Sequence, residues 1–451
     1  MKEGWKTVMK QQKLVEKMTI EEKAAVLSGK TVWQTREIDR LSIPSIFLSD
    51  GPHGIRKQAG AGDHLGLNAS LNATCFPTAA TIANSWDQDL GEEIGQALGE
   101  EAASMDVNIL LGPGLNIKRS PLCGRNFEYF SEDPYLSGKM AASYIRGIQS
   151  KGVYACPKHL AVNSQELRRM AMDAVVDERT LREIYLTGFE IAVKEGHAKA
   201  IMSSYNQING IYANEDKHLL TDILRKEWGF DGIVMTDWWA VANWEGEKQD
   251  RKNRAAMVQA QNDIFMVCPD TENENTIDNI KAQYTIGKIT RGQLQRNAKN
   301  MLKFALNSLA MQIKLGKVDI EEYAPEWDTS YKPEGELKAV VAKDGSFAVS
   351  DELALEILED DGMYFNAVDA QAGEYSVTIN ITSQHNEYTQ IPISVFIDND
   401  YRGTITFQGT NGKEDEKEMP VGEIGAGEHY IRVAYRPHGI TMNKIVIKKN
   451  D

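Results

Sequence analysis

Polar side chains follow several short apolar runs of this chain, and their types are those that bind hydroxyl groups and transfer protons. The residues are Asp50 after IFLS, Arg125 in the loop after NILL, Lys158 and His159 after YACP, Tyr205 after IMSS, and Asp237 after IVMT. A single aspartate after a strand is often a helix N-cap, but the whole set is harder to explain in that way. If the runs are parallel barrel strands, their carboxyl ends open onto one face and these side chains converge there.

Such a convergent set suits a neutral ligand that carries many hydroxyl groups. Carboxylates accept hydrogen bonds from paired hydroxyls, and arginine and lysine donate to ring and hydroxyl oxygens. Trp238 and Trp239 follow Asp237, and they either offer an apolar surface to a sugar ring or pack against the next helix. An aspartate kept ionised by arginine and lysine can attack an anomeric carbon. The sequence shows no glycine-rich phosphate loop and no metal triad, so no cofactor is predicted.

The elements that would position these residues lie in residues 1–312, where apolar runs alternate with amphipathic stretches as in βα units. Strand-like runs occupy residues 45–49, 80–84, 107–111, 153–157, 200–204, 232–236 and 263–267. Helical periodicity is clear in MTIEEKAAVL, LGEEIGQALGEEAASM, DERTLREIYLTGFEIAVKEG and TRGQLQRNAKNMLKFALNSLAM. The pattern predicts an α/β fold, a (β/α)8 TIM-like barrel with one irregular strand. An open doubly wound sheet is the alternative, and chain length favours the barrel.

The C-terminal part has a residue pattern different from that of residues 1–312. Residues 313–345 contain two prolines and many charges without a clear period, which is typical of an extended connector. Residues 346–451 contain period-two segments, namely YSVTINIT, PISVFID, GTITFQG and EHYIRVAY, separated by turn residues. This spacing predicts an all-β jelly-roll sandwich.

Composition and charge narrow the class of partner. The chain has 451 residues, of which 42% are hydrophobic and 25% charged, so it has enough apolar sequence for a folded core. Its net charge of −15 repels phosphate backbones and anionic lipids, so we expect no nucleic acid and no membrane as partner. No apolar run approaches the roughly 20 residues of a membrane span.

Compartment can be argued from the N-terminus and the cysteines. The segment MKEGWKTVMKQQKLVEK lacks the apolar region of a signal peptide. Cys75, Cys123, Cys156 and Cys268 have no metal-ligand spacing, which indicates free thiols in a reducing compartment. Together these features predict a cytoplasmic protein.

Five motifs in the first 310 residues resemble glycoside hydrolase family 3. They are LSDGPHGIR (48–56), GRNFEYFSEDPYLSG (124–138), KHLAVNSQE (158–166), MSSYNQING (202–210) and GFDGIVMTDWWAV (229–241), and AQNDIFM (260–266) is similar as well. The resemblance implies a retaining, exo-acting β-glycosidase, typically a β-glucosidase, with Asp237 as nucleophile. It also implies a first sugar subsite lined by Asp50, Arg56, Arg125, Lys158, His159, Met202, Tyr205 and Trp238.

The general acid is the part of this family's machinery that the chain does not display. A retaining glycosidase needs a second carboxyl group about 5–5.5 Å from the nucleophile, and in most of the family it comes from a separate α/β sandwich domain. The N-acetylglucosaminidase branch uses an Asp–His pair after the KH motif, where this chain reads AVNSQELRR. Glu166 is close in sequence but is expected to pair with Arg168 or Arg169. The acid stays unassigned, and a homodimer mate or partner subunit is a source for it.

The C-terminal segments AGEYSVTINI, IPISVFIDNDYRGTITFQGT and GAGEHYIRVAY resemble carbohydrate-binding modules of the family 6 and 35 type. Their glycan sites use aromatic platforms in loops, whereas the loop GTNGKEDEKE here is charged. A structural cap on the barrel and a glycan-binding module are both left open. Tyr364 and Phe365 could serve as platforms or pack inside the sandwich.

Two alternatives to a complete glycosidase remain. The chain could be the sugar-binding half of a split or truncated enzyme, with little turnover in the absence of an acid. It could also be an unrelated barrel enzyme that forms a Schiff base through Lys158, which would require a depressed lysine pKa.

Overall fold

The computed structural model describes residues 13–58, 70–244, 248–266, 279–318, 340–341, 346–349, 354–358, 362–387, 389–398, 400–435 and 439–450. The chain divides into two compact units, residues 1–57 with 72–325 and residues 58–71 with 326–451. Each unit has hydrophobic core of its own. In the described part of the chain, no helix is both long and apolar enough to cross a bilayer.

Most helices of the first unit begin after a threonine, serine or aspartate whose side chain caps them. Their bounds are Ile20–Ala25, Ala79–Ala83, Gln88–Ser104, Pro134–Ser150, Glu178–Thr180, Thr187–Lys194, Arg254–Ala260, Ile280–Thr285, Arg291–Leu306 and Leu309–Lys314, with a 3₁₀ turn at Asp39–Leu41 and π-helical segments at Leu181–Leu186 and His218–Glu227. Thr290 forms a capping box with Gln293 at the start of one of them. All four helical stretches predicted from periodicity are confirmed, and Pro134–Ser150 is an additional helix.

Strands of the first unit are short and mostly parallel. Their bounds are Leu48–Ser49, Ile109–Leu110, Tyr154–Ala155, Lys158–Leu160, Asp173–Ala174, Ala200–Ser203, Gln207–Ile208, Ile211–Tyr212 and Ile233–Thr236. Parallel pairings join Leu48 to Ile109 and Ile109 to Tyr154. Farther along the chain, parallel pairings join Lys158 to Met202, Met202 to Met235, Met235 to Ile264 and Phe265 to Ser28. An antiparallel bridge then joins Gln34 to Phe47. Because Phe47 directly precedes Leu48, this series returns to the strand where it began. The carboxyl ends of the parallel strands therefore face one common edge.

The strand predicted at residues 80–84 is wrong, because Ala79–Ala83 is a helix. Thr78 caps it, with its side chain accepting a hydrogen bond from the Thr81 N–H at 3.4 Å. Alanine favours helix, and the threonine cap satisfies a backbone donor that a strand would have paired elsewhere. The other predicted runs each contain a strand or bridge residues, although Val267 lies outside the described part.

Two helices are in close contact, and one of them is hydrogen-bonded to the loop after the first strand. A Cβ added at Gly95 would lie 2.4 Å from the Tyr144 carbonyl oxygen, and one at Gly147 would lie 2.2 Å from the Glu92 carbonyl oxygen. Only glycine permits this approach of the helices Gln88–Ser104 and Pro134–Ser150. The Tyr144 hydroxyl then donates a hydrogen bond of 2.6 Å to the Pro52 carbonyl, in the loop that follows the first strand.

A buried ion pair between Asp263 and Arg225 lies in this unit. Asp263 is fully buried, accepts hydrogen bonds from the Val234 N–H and from Asn300 at 3.0 Å each, and pairs with Arg225, which is also nearly buried. We expect Arg225→Met to lower the free energy of unfolding by about 3–5 kcal/mol, because it leaves a buried carboxylate without its cation.

The neighbouring residue provides the control for that prediction. Lys226 pairs with Asp222 on the surface, so Lys226→Met should change the free energy of unfolding by only about 0–1 kcal/mol. Urea unfolding followed by tryptophan fluorescence measures both variants. Equal losses in the two would contradict the assignment of Arg225 to a structural pair.

The second unit consists of two β-sheets over one hydrophobic cluster. Its strands are Val340–Val341, Ser346–Val349, Ala354–Leu358, Gly362–Ala370, Gly373–Ser383, Gln390–Ile397, Asp400–Gln408, Glu414–Ile424, Gly427–Ala434 and Ile440–Lys449. Along Gly373–Ser383 the residues Tyr375, Val377, Ile379 and Ile381 are fully buried and alternate with polar residues. The four predicted β-segments are confirmed as strands.

One predicted loop of this unit is a strand for half of its length. From Glu414 onward GTNGKEDEKE belongs to the strand Glu414–Ile424, which pairs antiparallel with Gly373–Ser383. Glu414, Glu416 and Glu418 are exposed on a strand at the edge of the described sheet, where charges are favoured over apolar residues. The side chains of Tyr364 and Phe365 and residues 319–339 of the predicted connector lie outside the described part.

Candidate active site

Asp50 opens a tight turn directly after the strand Leu48–Ser49. Gly51 has φ of +114°, and a Cβ there would lie 1.9 Å from the Gly54 carbonyl oxygen, so the turn requires glycine. The Arg56 N–H donates to the Asp50 carbonyl at 3.0 Å and closes it. The turn thus fixes Asp50 at the strand end, and it is the Arg56 backbone that contributes to holding it.

Lys158 meets Asp50 across the edge of the parallel strands. Its Nζ lies 2.8 Å from Asp50 Oδ1 and 3.8 Å from Glu128 Oε2, and its side chain is almost fully buried. Burial alone would lower the pKa of Lys158, but the charges of Asp50 and Glu128 outweigh it and raise that pKa. Burial likewise opposes ionisation of Asp50, yet the charge and hydrogen bond of Lys158 bring the pKa of Asp50 below its ordinary value. A Schiff-base lysine needs the opposite shift, so the Lys158 Schiff-base hypothesis is contradicted.

Arg125 lies in the loop after Ile109–Leu110 and is held by acids on two sides. Its Nε donates to Glu128 Oε1, and its Nη1 lies 4.0 Å from Glu166 Oε1. Glu166 also pairs with Arg169 at 2.8 Å, as expected from the sequence. Although burial disfavours a charged guanidinium, Tyr129, Glu128 and Asp237 raise the pKa of Arg125.

His159 is buried beside Asp237, with 3.6 Å between its Nε2 and Asp237 Oδ2. The Asn116 side chain accepts from the His159 backbone N–H at 2.9 Å and donates to its carbonyl at 2.8 Å, which fixes the segment. The Tyr129 hydroxyl lies 3.3 Å from Nδ1. Burial and the nearby positive charges put the pKa of His159 well below its ordinary value, so the imidazole is neutral.

Asp237 follows the strand Ile233–Thr236 and is largely buried. Its Oδ1 accepts a hydrogen bond of 2.7 Å from the Trp238 N–H, while Oδ2 faces His159. The Tyr205 hydroxyl donates to the Trp238 carbonyl and also stabilises the Asp237 carboxylate. The structure therefore fixes the orientation of this carboxylate from both sides.

The pKa of Asp237 is higher than that of an ordinary aspartate. Burial is the largest influence and raises it, while Arg125, Arg169, the Trp238 N–H and Tyr205 act in the lowering direction. The sequence predicted a carboxylate held ionised by arginine and lysine. The structure supplies two arginines, but Lys158 is committed to Asp50, and burial decides the net direction.

Trp238 and Met202 are buried in packing contacts next to these residues. Trp238 is buried, its ring centroid lies 5.3 Å from that of Trp33, and its Nε1 donates to the Val32 carbonyl at 2.8 Å. Met202 is buried in the strand next to Lys158. Trp239 is more exposed, and Arg251 stacks over its ring. The packing role considered for Trp238 therefore has direct support.

Two charged residues near the site were not singled out from the sequence. Glu128 is buried and pairs with Arg125, three residues earlier in the motif GRNFEYF. Arg169 lies over the ring of Tyr205, with 4.7 Å to its centroid, and contributes to the field at Asp237. Glu128 lies three positions after Arg125, and Arg169 lies three positions after Glu166. This spacing is the sequence feature from which both could have been assigned to the site.

Within the described ranges, no three histidine, cysteine, aspartate or glutamate residues form a cluster that could hold a metal ion. What the site offers is a buried carboxylate facing a neutral imidazole, a phenol and arginines, and next to it a lysine–aspartate pair. Groups of these types, arranged in this way, can bind and polarise a hydroxyl-rich ligand and present a nucleophilic oxygen to it.

Residues 14–304 match the family model described as the Glycosyl hydrolase family 3 N terminal domain. The chain is 49% identical over 297 residues to thermostable beta-glucosidase B of Acetivibrio thermocellus, an alignment that covers 66% of this chain and 38% of that protein. It is 40% identical over 416 residues to a beta-glucosidase of Ruminococcus albus, covering 92% of this chain and 42% of that protein. This chain therefore spans about two-fifths of the length of these two relatives.

A solved structure gives the same likeness. The crystal structure of a beta-glucosidase from Paenibacillus barengoltzii superposes with a TM-score of 0.61 at 34% sequence identity, covering 96% of this chain and 47% of that one. The similarity in sequence and the similarity in structure therefore agree.

Proposed function

The chain belongs to glycosyl hydrolase family 3, and on that basis we propose that it is a retaining, exo-acting β-glycosidase that cleaves terminal β-linked glucose. The observation that carries the proposal is the Asp237 carboxylate, which is buried, oriented by the Trp238 N–H and 3.6 Å from His159. The β-glucosidases similar to it in sequence support glucose as the sugar. Hydrolysis of an aryl β-glucoside by the wild-type chain and its loss in Asp237→Ala test the proposal.

In this mechanism Asp237 is the nucleophile. One carboxylate oxygen attacks C1 of the sugar as the bond to the leaving-group oxygen breaks, which gives a covalent glycosyl-Asp237 intermediate. Water then attacks C1, releases the sugar with its original anomeric configuration and returns Asp237 to the carboxylate form. Arg125 and Arg169 stabilise the negative charge that Asp237 carries before the first step and regains in the second.

We propose that the first sugar subsite is formed by the other residues identified from the sequence. Asp50 accepts from outer hydroxyls of the sugar, and Lys158 and Arg125 donate to the middle ones together with neutral His159. The Tyr205 hydroxyl stabilises the ionised carboxylate of Asp237, the nucleophile. The remaining members support this site: Arg56 through its backbone in the Asp50 turn, and Met202 and Trp238 as buried packing beneath it.

The general acid remains to be supplied. Among the described residues, the carboxylates nearest the site are Asp50, Glu128 and Glu166, and each is paired with lysine or arginine, whereas a general acid must carry a proton. We propose that a partner subunit or a second copy of the chain provides it. The second candidate function, the sugar-binding half of a split or truncated enzyme, is favoured by the chain spanning only 38–42% of its relatives.

We further propose that residues 1–312 form a (β/α)8 TIM-like barrel and that residues 346–451 form a jelly-roll module related to carbohydrate-binding modules. Residues 313–345 are the proposed connector between these two parts of the sequence. The series of pairings, parallel except for the last one at Gln34 and Phe47, returns to the first strand and supports the barrel. Two sheets over one core support the module, which caps the enzyme or binds glycan. Cys75, Cys123 and Cys156 are free thiols, which supports a reducing, cytoplasmic location.

Tyr205 gives a prediction about pH. Its hydroxyl stabilises ionised Asp237, so Tyr205→Phe should raise the pKa of Asp237 further. Because the nucleophile must be ionised, activity is lost as the pH falls through this pKa. The acidic limb of the kcat/KM profile should therefore move upward by less than about one pH unit. A full hydrogen bond to a charged group contributes about 1.5–3 kcal/mol and one unit corresponds to about 1.4 kcal/mol, but the Tyr205 hydroxyl proton is donated to the Trp238 carbonyl.

Tyr154→Phe is the matched control, because the Tyr154 hydroxyl donates to the Asn307 carbonyl, away from the site. Its acidic limb should coincide with that of the wild type. A Tyr205→Phe limb that stays in place or moves downward would rule out this role for the hydroxyl.

A further inference from the structure

Glu128 is a buried carboxylate that lies between the two cations of the candidate sugar subsite. Only 4% of the residue is exposed. One of its oxygens accepts from Arg125 Nε, and the other lies 3.8 Å from Lys158 Nζ. Neither the sequence motifs nor the mechanism described above assigns a role to this side chain. Its position makes it the link between two side chains that the mechanism does use.

The way in which Glu128 holds Arg125 leaves the binding end of that side chain available. The contact uses the Nε, which is the nitrogen next to the aliphatic stem. The terminal nitrogen Nη1 is 4.0 Å from Glu166, so that edge of the guanidinium is not tied by a short ion pair there. A guanidinium fixed in this way keeps fork-shaped donors for ligand oxygens. Lys158 is held similarly, between Glu128 and Asp50.

We propose that Glu128 is a positioning residue, which aligns Arg125 and Lys158 for the sugar hydroxyls and limits the positive charge that reaches Asp237. The inference rests on the β-glycosidase function proposed above. A buried cation without a counter-charge is unfavourable, so an anion at this place allows two cations to share one small subsite. Through Arg125, the same anion acts on the nucleophile.

The groups around the two carboxylates explain how the effect is transmitted. Glu128 is faced by Arg125, Lys158, His53 and Tyr129. Burial lowers the pKa of His53 to about 4 and raises the pKa of Tyr129, so both are neutral at neutral pH.

Asp237 is faced by Arg125, Arg169, His159, Tyr205 and Cys156. The imidazole is neutral, and burial raises the pKa values of the phenol and the thiol, so the two arginines are the charged members of this set. Arg125 belongs to the surroundings of both carboxylates. Removing the charge of Glu128 therefore leaves more of the Arg125 field acting on Asp237, and the pKa of Asp237 should fall.

The test measures kcat and KM against pH with 2,4-dinitrophenyl β-glucoside, for the wild-type chain, Glu128→Gln and Glu128→Asp. For Glu128→Gln we expect the acidic limb of kcat/KM to move to lower pH. We also expect KM to rise roughly tenfold or more, as is typical when a residue that orients a binding group is lost. Glu128→Asp keeps the charge but shortens the side chain, so it should raise KM and leave the acidic limb near the wild-type position.

Glu92→Gln is the matched control, because Glu92 pairs with Arg146 at 2.8 Å between two helices. It should change neither KM nor the acidic limb. An acidic limb and a KM that are both unaltered in Glu128→Gln would overturn the inference. If Glu128→Gln does not fold, as judged by circular dichroism, Glu128→Asp decides: a wild-type KM would overturn it. Absence of wild-type turnover would instead refute the proposed function.

Discussion

Asp237→Ala is expected to reduce kcat/KM for 2,4-dinitrophenyl β-glucoside by roughly 10⁴–10⁶-fold, the range seen when a catalytic nucleophile is removed. The carboxylate is the group that forms the bond to C1, and the residues around it orient and stabilise that group rather than replace it. The dinitrophenolate leaves with little need of protonation. This substrate therefore reports on Asp237 whether or not an acid is present.

Added azide distinguishes loss of the nucleophile from loss of the fold. The alanine variant leaves space at C1 on the side from which Asp237 attacks, so azide should restore turnover and give the α-glycosyl azide, an inverted product. Asp222→Ala, on a surface π-helical segment, is the control and should keep full activity without azide. A 2-deoxy-2-fluoroglucoside inactivator should label Asp237 in the wild type. Label on another residue, or equal rates for wild type and Asp237→Ala, would refute the assignment.

A series of aryl and alkyl β-glucosides should show a steep fall in kcat as the pKa of the leaving group rises. Each carboxylate near Asp237 in the described part of the chain is in an ion pair. Poor leaving groups would then depart without assistance, and loss of general-acid catalysis typically costs ~10²–10⁴-fold in rate. Good leaving groups should be turned over readily, so the two ends of the series should differ by at least this factor.

Two controls identify the source of any acid. Glu166→Gln should slow no leaving group selectively, because Glu166 pairs with Arg169 and Arg125 instead of serving as the acid. If a second copy supplies the acid, specific activity on alkyl glucosides should rise with protein concentration while that on the dinitrophenyl substrate does not. A flat series at low protein concentration would show that this chain contains its own acid.

The position of Asp237 in the mechanism has a consequence for the working pH. Burial raises the pKa of Asp237, and the ionised form is the one that reacts, so activity should be lost at a higher pH than for an exposed aspartate. The Tyr205 and Glu128 variants move the same limb in opposite directions. The first loses the stabilisation that the Tyr205 hydroxyl gives to the ionised carboxylate, and the second strengthens the field of Arg125.

Much of this protein is determined by local sequence. The four helical stretches form because their periodicity and caps act over a few residues, as at Thr290 with Gln293. Strand ends could be predicted because polar residues follow apolar runs. The convergence of Asp50, Lys158, His159 and Asp237 then follows from parallel pairing, which puts every carboxyl end on one edge.

Other features depend on neighbours that are distant in sequence, and only the tertiary structure decides them. Lys158 could have stabilised Asp237, but it pairs with Asp50, and burial then raises the pKa of Asp237. Trp238 could have been an open sugar platform, but Trp33 covers it. Glu128 and Arg169 gain their significance from partners in other loops, since an ion pair or a stacked ring depends on distance in space, which local residue patterns do not encode.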